Sequence, residues 1–238
     1  MRKRCPCCIG AILVVLASHQ AIAAPQDDAV KAFKEYVAAV RAGSAEKVLA
    51  LVEPVPESCK PLLAASVESL IAIERVKTAM AKQFALPKDE EAEEEEGWNM
   101  GQPSDETLNQ LAGDLVDDNT VKLKGKDPLD KAEYDVGLVV RRDGRWLVSA
   151  GTAIGLDPTA SFVEPPEQER ADLLTMADLV TRSAMAVLGR LERKQFKSPA
   201  EVQAALLRGM AEAAQPASRP TTTPSVHNSS RTQNRVAS

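Results

Sequence analysis

Periods of 3.6 and of two divide this chain into two helical blocks with a strand block between them. Val30, Phe33, Val37 and Val40 recur at helical spacing, which predicts an amphipathic helix from Asp27 to Ala42 closed by Gly43. Ser44 stands where it can cap a short second helix whose apolar residues are Val48, Leu49 and Val52. Pro54 and Pro56 break the chain. A longer helix is predicted from about Cys59 to Phe84, with Leu63, Val67, Leu70, Ile73, Val76, Met80 and Phe84 as its apolar stripe. Pro61 is compatible with it because it falls in the first turn, where its missing N–H has no partner to lose.

Ser104 to Leu111 reads as one more short helix, and the period then changes to two. Val121 and Leu123 alternate with Thr120, Lys122 and Lys124; Tyr134, Val136, Leu138 and Val140 alternate with Asp135 and Arg141. Asp143-Gly144 is a hairpin signal, and Arg145 to Val148 is the returning strand. Trp146 on that strand is expected to anchor the core. Helical spacing returns between about Glu167 and Lys194 through Leu173, Met176, Val180, Ala184, Val187 and Leu191. Ser198-Pro199-Ala200-Glu201 is a capping box that starts a last helix, to about Ala214, with Val202, Leu206, Leu207 and Met210 apolar. These two helices have two natural places, on the sheet or apart as a helical hairpin.

The termini carry a different signal. Arg2, Lys3 and Arg4 precede an apolar run from Ile9 to Ala17, and Ala21-Ile22-Ala23 supplies the small residues of a peptidase site. This is the layout of a secretory signal peptide over residues 1–23, removed after Ala23. An uncleaved span would need about 20 apolar residues, and Ser18, His19 and Gln20 interrupt the run. The expected location is therefore periplasmic or extracellular, with no stable membrane anchor after cleavage. Residues 215–238 are rich in Ser, Thr, Pro and Asn and nearly devoid of apolar side chains, the composition of a disordered tail. Asp89 to Glu96 holds seven carboxylates in eight residues inside an acidic loop spanning 88–97. It lacks the alternating acids and mid-loop glycine of an EF-hand, so it reads as a solvated connection.

Export changes how cysteine and histidine are read. Cys5, Cys7 and Cys8 lie in the expected leader, which leaves Cys59 alone and unable to close an intrachain disulfide. The two histidines, His19 and His227, lie in the leader and the tail. Residues 24–214 therefore lack the imidazole of a Ser-His-Asp triad, a Cys-His dyad or a histidine-bound zinc, and no metal site or cofactor is expected. The same residues carry 23 basic and 34 acidic side chains, a net −11, and the whole chain is only 3% aromatic. Nucleic-acid binding needs the opposite, a basic face with stacking platforms. No glycine-rich phosphate loop follows a strand.

N-terminal helices, a long helix and then antiparallel strands ending in Val139-Val140-Arg141-Arg142-Asp143-Gly144-Arg145-Trp146-Leu147-Val148 resemble the NTF2-like (cystatin-like) superfamily over about residues 27–150. The resemblance implies an α+β fold in which N-terminal helices pack on a curled antiparallel sheet around a conical pocket. The organisation expected is a signal peptide (1–23), an NTF2-like domain (24–150), a C-terminal helical segment (163–214) and a tail. Many exported members of that group have no known activity, while others are isomerases, cyclases or hydrolases. The reading preferred here is a non-enzymatic exported binding or accessory protein of the cell envelope, with a protein partner or a small apolar ligand and of undetermined oligomeric state. The alternative is a pocket enzyme with a carboxylate base, for which Tyr36, Tyr134 and Asp135 are the candidate residues. Asp135 falls out of phase with the apolar strand face, which marks it as a solvated strand residue.

Overall fold

In the computed structural model the described residues are 24–85, 103–127, 131–157 and 160–214. The expected leader, the acidic run and the tail lie outside them. Pro25 sits in the first turn of α1 (Pro25–Arg41), two residues before the start that spacing alone indicates. The helix closes through a paired motif in which Gly43 N–H bonds Val40 O at 2.9 Å and Ser44 N–H bonds Ala39 O at 3.1 Å. Gly43 adopts φ +70, which is why glycine stands there. Ser44 precedes α2 (Ala45–Ala50), but its hydroxyl makes no cap bond; its backbone is already committed to closing α1. A 3₁₀ turn at Glu57–Cys59 leads into α3 (Lys60–Phe84).

Ser104 caps α4 (Asp105–Asn109), its hydroxyl accepting Thr107 N–H at 3.1 Å. Four strands follow as an antiparallel meander in chain order, β1 (Ala112–Asp117), β2 (Thr120–Lys126), β3 (Glu133–Arg142) and β4 (Arg145–Val148). The β3–β4 turn holds Asp143 and Gly144 at φ +51 and +78, the left-handed pair a two-residue hairpin needs. β1 has no counterpart in the periodicity. It is an edge strand whose Val116 is 61% exposed and whose Leu115 is exposed too. With little of either face buried, nothing imposes alternation on it.

A β-bulge changes the face assignment of β3. Leu123 pairs with Gly137, but Lys124 pairs with Asp135, so Val136 is an extra residue. Strict alternation would place Tyr134, Val136, Leu138 and Val140 together. Instead Val139 joins Val121, Leu123 and Val148 in the main core, while Leu138 and Val140 are buried outside that cluster. Gly137 admits no side chain, since an added Cβ would lie 2.6 Å from Thr152 Cγ2. Thr152, on α5 (Ala150–Ile154), also accepts a hydrogen bond from Leu138 N–H at 3.0 Å. The outer face of the sheet carries ion pairs, Lys122–Asp135 at 2.9 Å and Lys124–Asp114 at 2.6 Å. The hydrogen bond to Asp114 raises the Lys124 pKa.

The fold is α+β, and α3 belongs to two cores. Leu63, Val67 and Ile71 from its first half join α1, α2 and the sheet. Ala72, Ile73 and Val76 from its second half join Ala184, Val187 and Leu191 of α6 (Glu167–Glu192) and Val202 and Leu206 of α7 (Pro199–Ala214). The C-terminal helices thus pack with α3, a placement the sequence pattern did not include. The first turns of α6 extend past this core, leaving Met176 62% exposed instead of on the buried face. At α7, Ser198 Oγ accepts Glu201 N–H at 3.3 Å and Glu201 accepts Lys197 N–H at 2.8 Å. The reciprocal cap is therefore present, shifted by one residue on the return bond.

Two stability predictions follow from positions in this fold. Trp146 is only partly buried, packing on the margin of the main core with Arg141 6.0 Å from its ring centroid. It is thus a margin contact and not the central anchor the hairpin pattern suggests. Trp146→Ala is expected to cost about 2 kcal/mol, below the range for fully buried aromatics, as read by urea denaturation. Lys77 on α3 has its pKa lowered, first by burial, with Arg41 adding to the shift and Glu74 opposing it. Charging it is therefore harder in the folded than in the unfolded chain. This penalty is complete below the folded pKa and vanishes as pH rises past the ordinary value of 10.5. Lys77→Met should raise the melting temperature at pH 7, with the advantage shrinking at alkaline pH; a pH-independent gain would point to packing instead.

Candidate functional site

The structure does not bring the candidate residues Tyr36, Tyr134 and Asp135 together. Tyr36 is 1% exposed inside the main core, its ring 5.9 Å from that of Phe33. Tyr134 is exposed at the far end of β3, donating to Thr107 Oγ1 at 3.3 Å. Asp135 points to the outer face of the sheet and pairs with Lys122. The bulge at Val136 separates the two neighbours from the rest of the strand pattern.

A different place in the fold brings polar groups together. After α2 the chain runs beside β4: Val148 N–H bonds Leu51 O and Glu53 N–H bonds Val148 O, both at 2.9 Å. This clasp, with a parallel bridge between Val52 and Val148, draws Glu53 inside. Its residue is 5% exposed. One carboxylate oxygen accepts Ser149 Oγ–H at 3.1 Å and Ala150 N–H at 3.0 Å; the other accepts from Arg142 at 3.3 Å. Ser149 is itself fully buried and its hydroxyl caps α5, accepting Gly151 N–H at 3.3 Å. The buried charge is therefore satisfied on both oxygens, as burial of a carboxylate requires.

Glu53 forms one wall of a cleft of about 620 Å³ between the α2–α3 segment and the β3–β4 hairpin. Leu49, Val52, Pro54, Val55, Leu63 and Leu147 supply its apolar lining, and Lys60, Arg142, Arg145 and Asp143 are its other charged residues. The size is that of a small-molecule site. Among the described residues no three His, Cys, Asp or Glu side chains gather as a metal site. No helix among them is long and apolar enough to cross a membrane.

Sequence reasoning did not single out Glu53, Ser149, Arg142 or Arg145 as site residues. Glu53 carried a signal, a lone acid among Leu51, Val52, Pro54, Val55 and Pro56; those prolines read only as breaks. Comparison with protein-family models, with curated proteins and with solved structures finds no match to this chain. Fold and site together define a small α+β protein with an amphipathic surface cleft at the hairpin end of its sheet.

Proposed function

We propose that the protein is an exported, non-enzymatic binding module of the cell envelope, built on an NTF2-like curled sheet, and that its ligand occupies the cleft beside Glu53. The charged start, the apolar run and Ala21-Ile22-Ala23 support export. The order of helices, meander and Asp143-Gly144 hairpin supports the NTF2-like relationship. The observation that carries the binding reading is the state of Glu53. Its carboxylate is tied down by Ser149 and Ala150 on one oxygen and by Arg142 on the other, so it serves the scaffold, closing the clasp between the α2–α3 segment and the start of α5. A base needs an acceptor within hydrogen-bond reach of the reacting group. What remains for a ligand is an apolar lining and a charged rim, which bind without chemistry.

N-terminal sequencing of the protein recovered from an exporting bacterial host is expected to start at Ala24, and a mature chain starting at Met1 would remove the export assignment. Binding is tested with an uncharged solvatochromic dye. Its fluorescence should rise with the purified chain and fall when the cleft is altered by Leu49→Gln or by Ala64→Trp, Ala64 being a further lining residue on α3, each checked for an unchanged melting temperature. Dye binding that neither variant affects would place the ligand elsewhere.

A further inference from the structure

The rim of the cleft holds a like-charge pair that the scaffold does not explain. Arg142 and Arg145 are direct partners across the β3–β4 ladder. Like charges directly opposed on adjacent strands destabilise a sheet. Arg142 is balanced by Glu53. Arg145 makes no ion pair among the described residues, and Lys60, on the opposite wall, meets only the highly exposed Glu57. Asp143, in the turn, is exposed. With Glu53 and Arg142 paired to each other, the lining leaves two cations, Lys60 and Arg145, against one exposed acid, Asp143, in a segment whose net charge is −11. Arg145 is thus left facing the apolar floor of the cleft with no counter-ion among the described residues.

We infer that the cleft binds a small amphiphilic anion, a monocarboxylate with an apolar tail, whose head group lies between Arg145 and Lys60 and whose tail lies on Leu49, Val55, Leu63 and Leu147. This rests on the binding reading above and adds the ligand class. A guanidinium matches a carboxylate through two parallel N–H···O bonds, and a bound anion relieves the Arg142–Arg145 repulsion. An extended peptide is disfavoured at the C-terminal end of β4, where Leu51 O and Glu53 N–H already bond Val148. Main-chain pairing, the usual source of affinity for an added strand, is left only the stretch 145–147.

The test compares dodecanoate, dodecanol and dodecyltrimethylammonium, each below its micellar concentration, by calorimetry on the purified chain. Dodecanoate is expected to bind roughly tenfold more tightly than dodecanol, as one charge-assisted hydrogen bond would supply, and the ammonium most weakly. Arg145→Gln should remove that tenfold preference while leaving dodecanol binding and the melting temperature no lower than in the parent. Arg208→Gln, an exposed arginine of α7 away from the cleft lining, should change nothing. Equal binding of dodecanoate and dodecanol would overturn the anion inference and leave the binding module standing. Binding of none of the three would overturn both. Co-sedimentation with anionic phosphatidylglycerol vesicles without binding of monomeric dodecanoate would also overturn it, in favour of a membrane surface.

Discussion

Tyr36→Ala is expected to destabilise the protein by about 3–5 kcal/mol, the range for emptying a buried aromatic site. Tyr36 is 1% exposed and is among the largest fully buried side chains. It sits on the α1 face that also carries Phe33, Val37 and Val40, against the sheet residues Val121, Leu123, Val139 and Val148. α1 spans the middle of the main core, so surrounding residues cannot collapse into the gap without moving the helix off the sheet. For a chain of this size the loss corresponds to roughly 10 °C in melting temperature. Since small proteins are stable by only about 5–15 kcal/mol, the variant should be partly unfolded at 37 °C. Thermal and urea denaturation read this directly. A variant that melts like the parent but loses ligand binding would return Tyr36 to the site and remove it from the core.

Glu53→Ala is expected to cost about 3 kcal/mol, although it removes a charge from the interior. The reason is what it leaves behind. Ala150 N–H and Ser149 Oγ are both buried and both lose their acceptor, and each unsatisfied buried group costs about 1–3 kcal/mol. Arg142 adds little, because it is largely exposed and is resolvated when its partner goes. Glu53→Gln separates the two effects. Its amide oxygen can keep the bonds from Ser149 and Ala150 while the ion pair is lost, so the cost should fall to about 1 kcal/mol. Equal losses in the two variants would show that the charge on Glu53, not its acceptor geometry, holds the clasp. The consequence reaches the cleft, because the same residue ties the α2–α3 segment to the start of α5 and forms one wall of the lining.

Elements whose burial follows a simple period were legible in the sequence. α1, α3, α6 and α7 lie within a few residues of the spans their apolar spacing indicates, because one continuous stripe must face one partner. The Asp143-Gly144 hairpin was legible because two adjacent left-handed residues admit few sequences. β1 was not, since its exposed edge imposes no pattern. The face assignment of β3 failed at a single extra residue, Val136, since a bulge inverts every side chain beyond it and leaves no mark in composition.

The cleft shows the same division. The absence of histidine from residues 24–214 is read directly from the sequence. That Glu53 would meet Ser149 and Arg142, roughly ninety residues further along, depends on the clasp of Val52 and Glu53 on β4. Local patterning carries information about neighbours within one turn or one pleat. It carries none about which distant segments will share a wall, and the packing of α3 into two cores was decided at that level too. The sequence by itself therefore determined the regularly patterned elements and the absence of histidine from residues 24–214. Only the tertiary structure decided where its charges converge, because that convergence is made by contacts between segments that no local period connects.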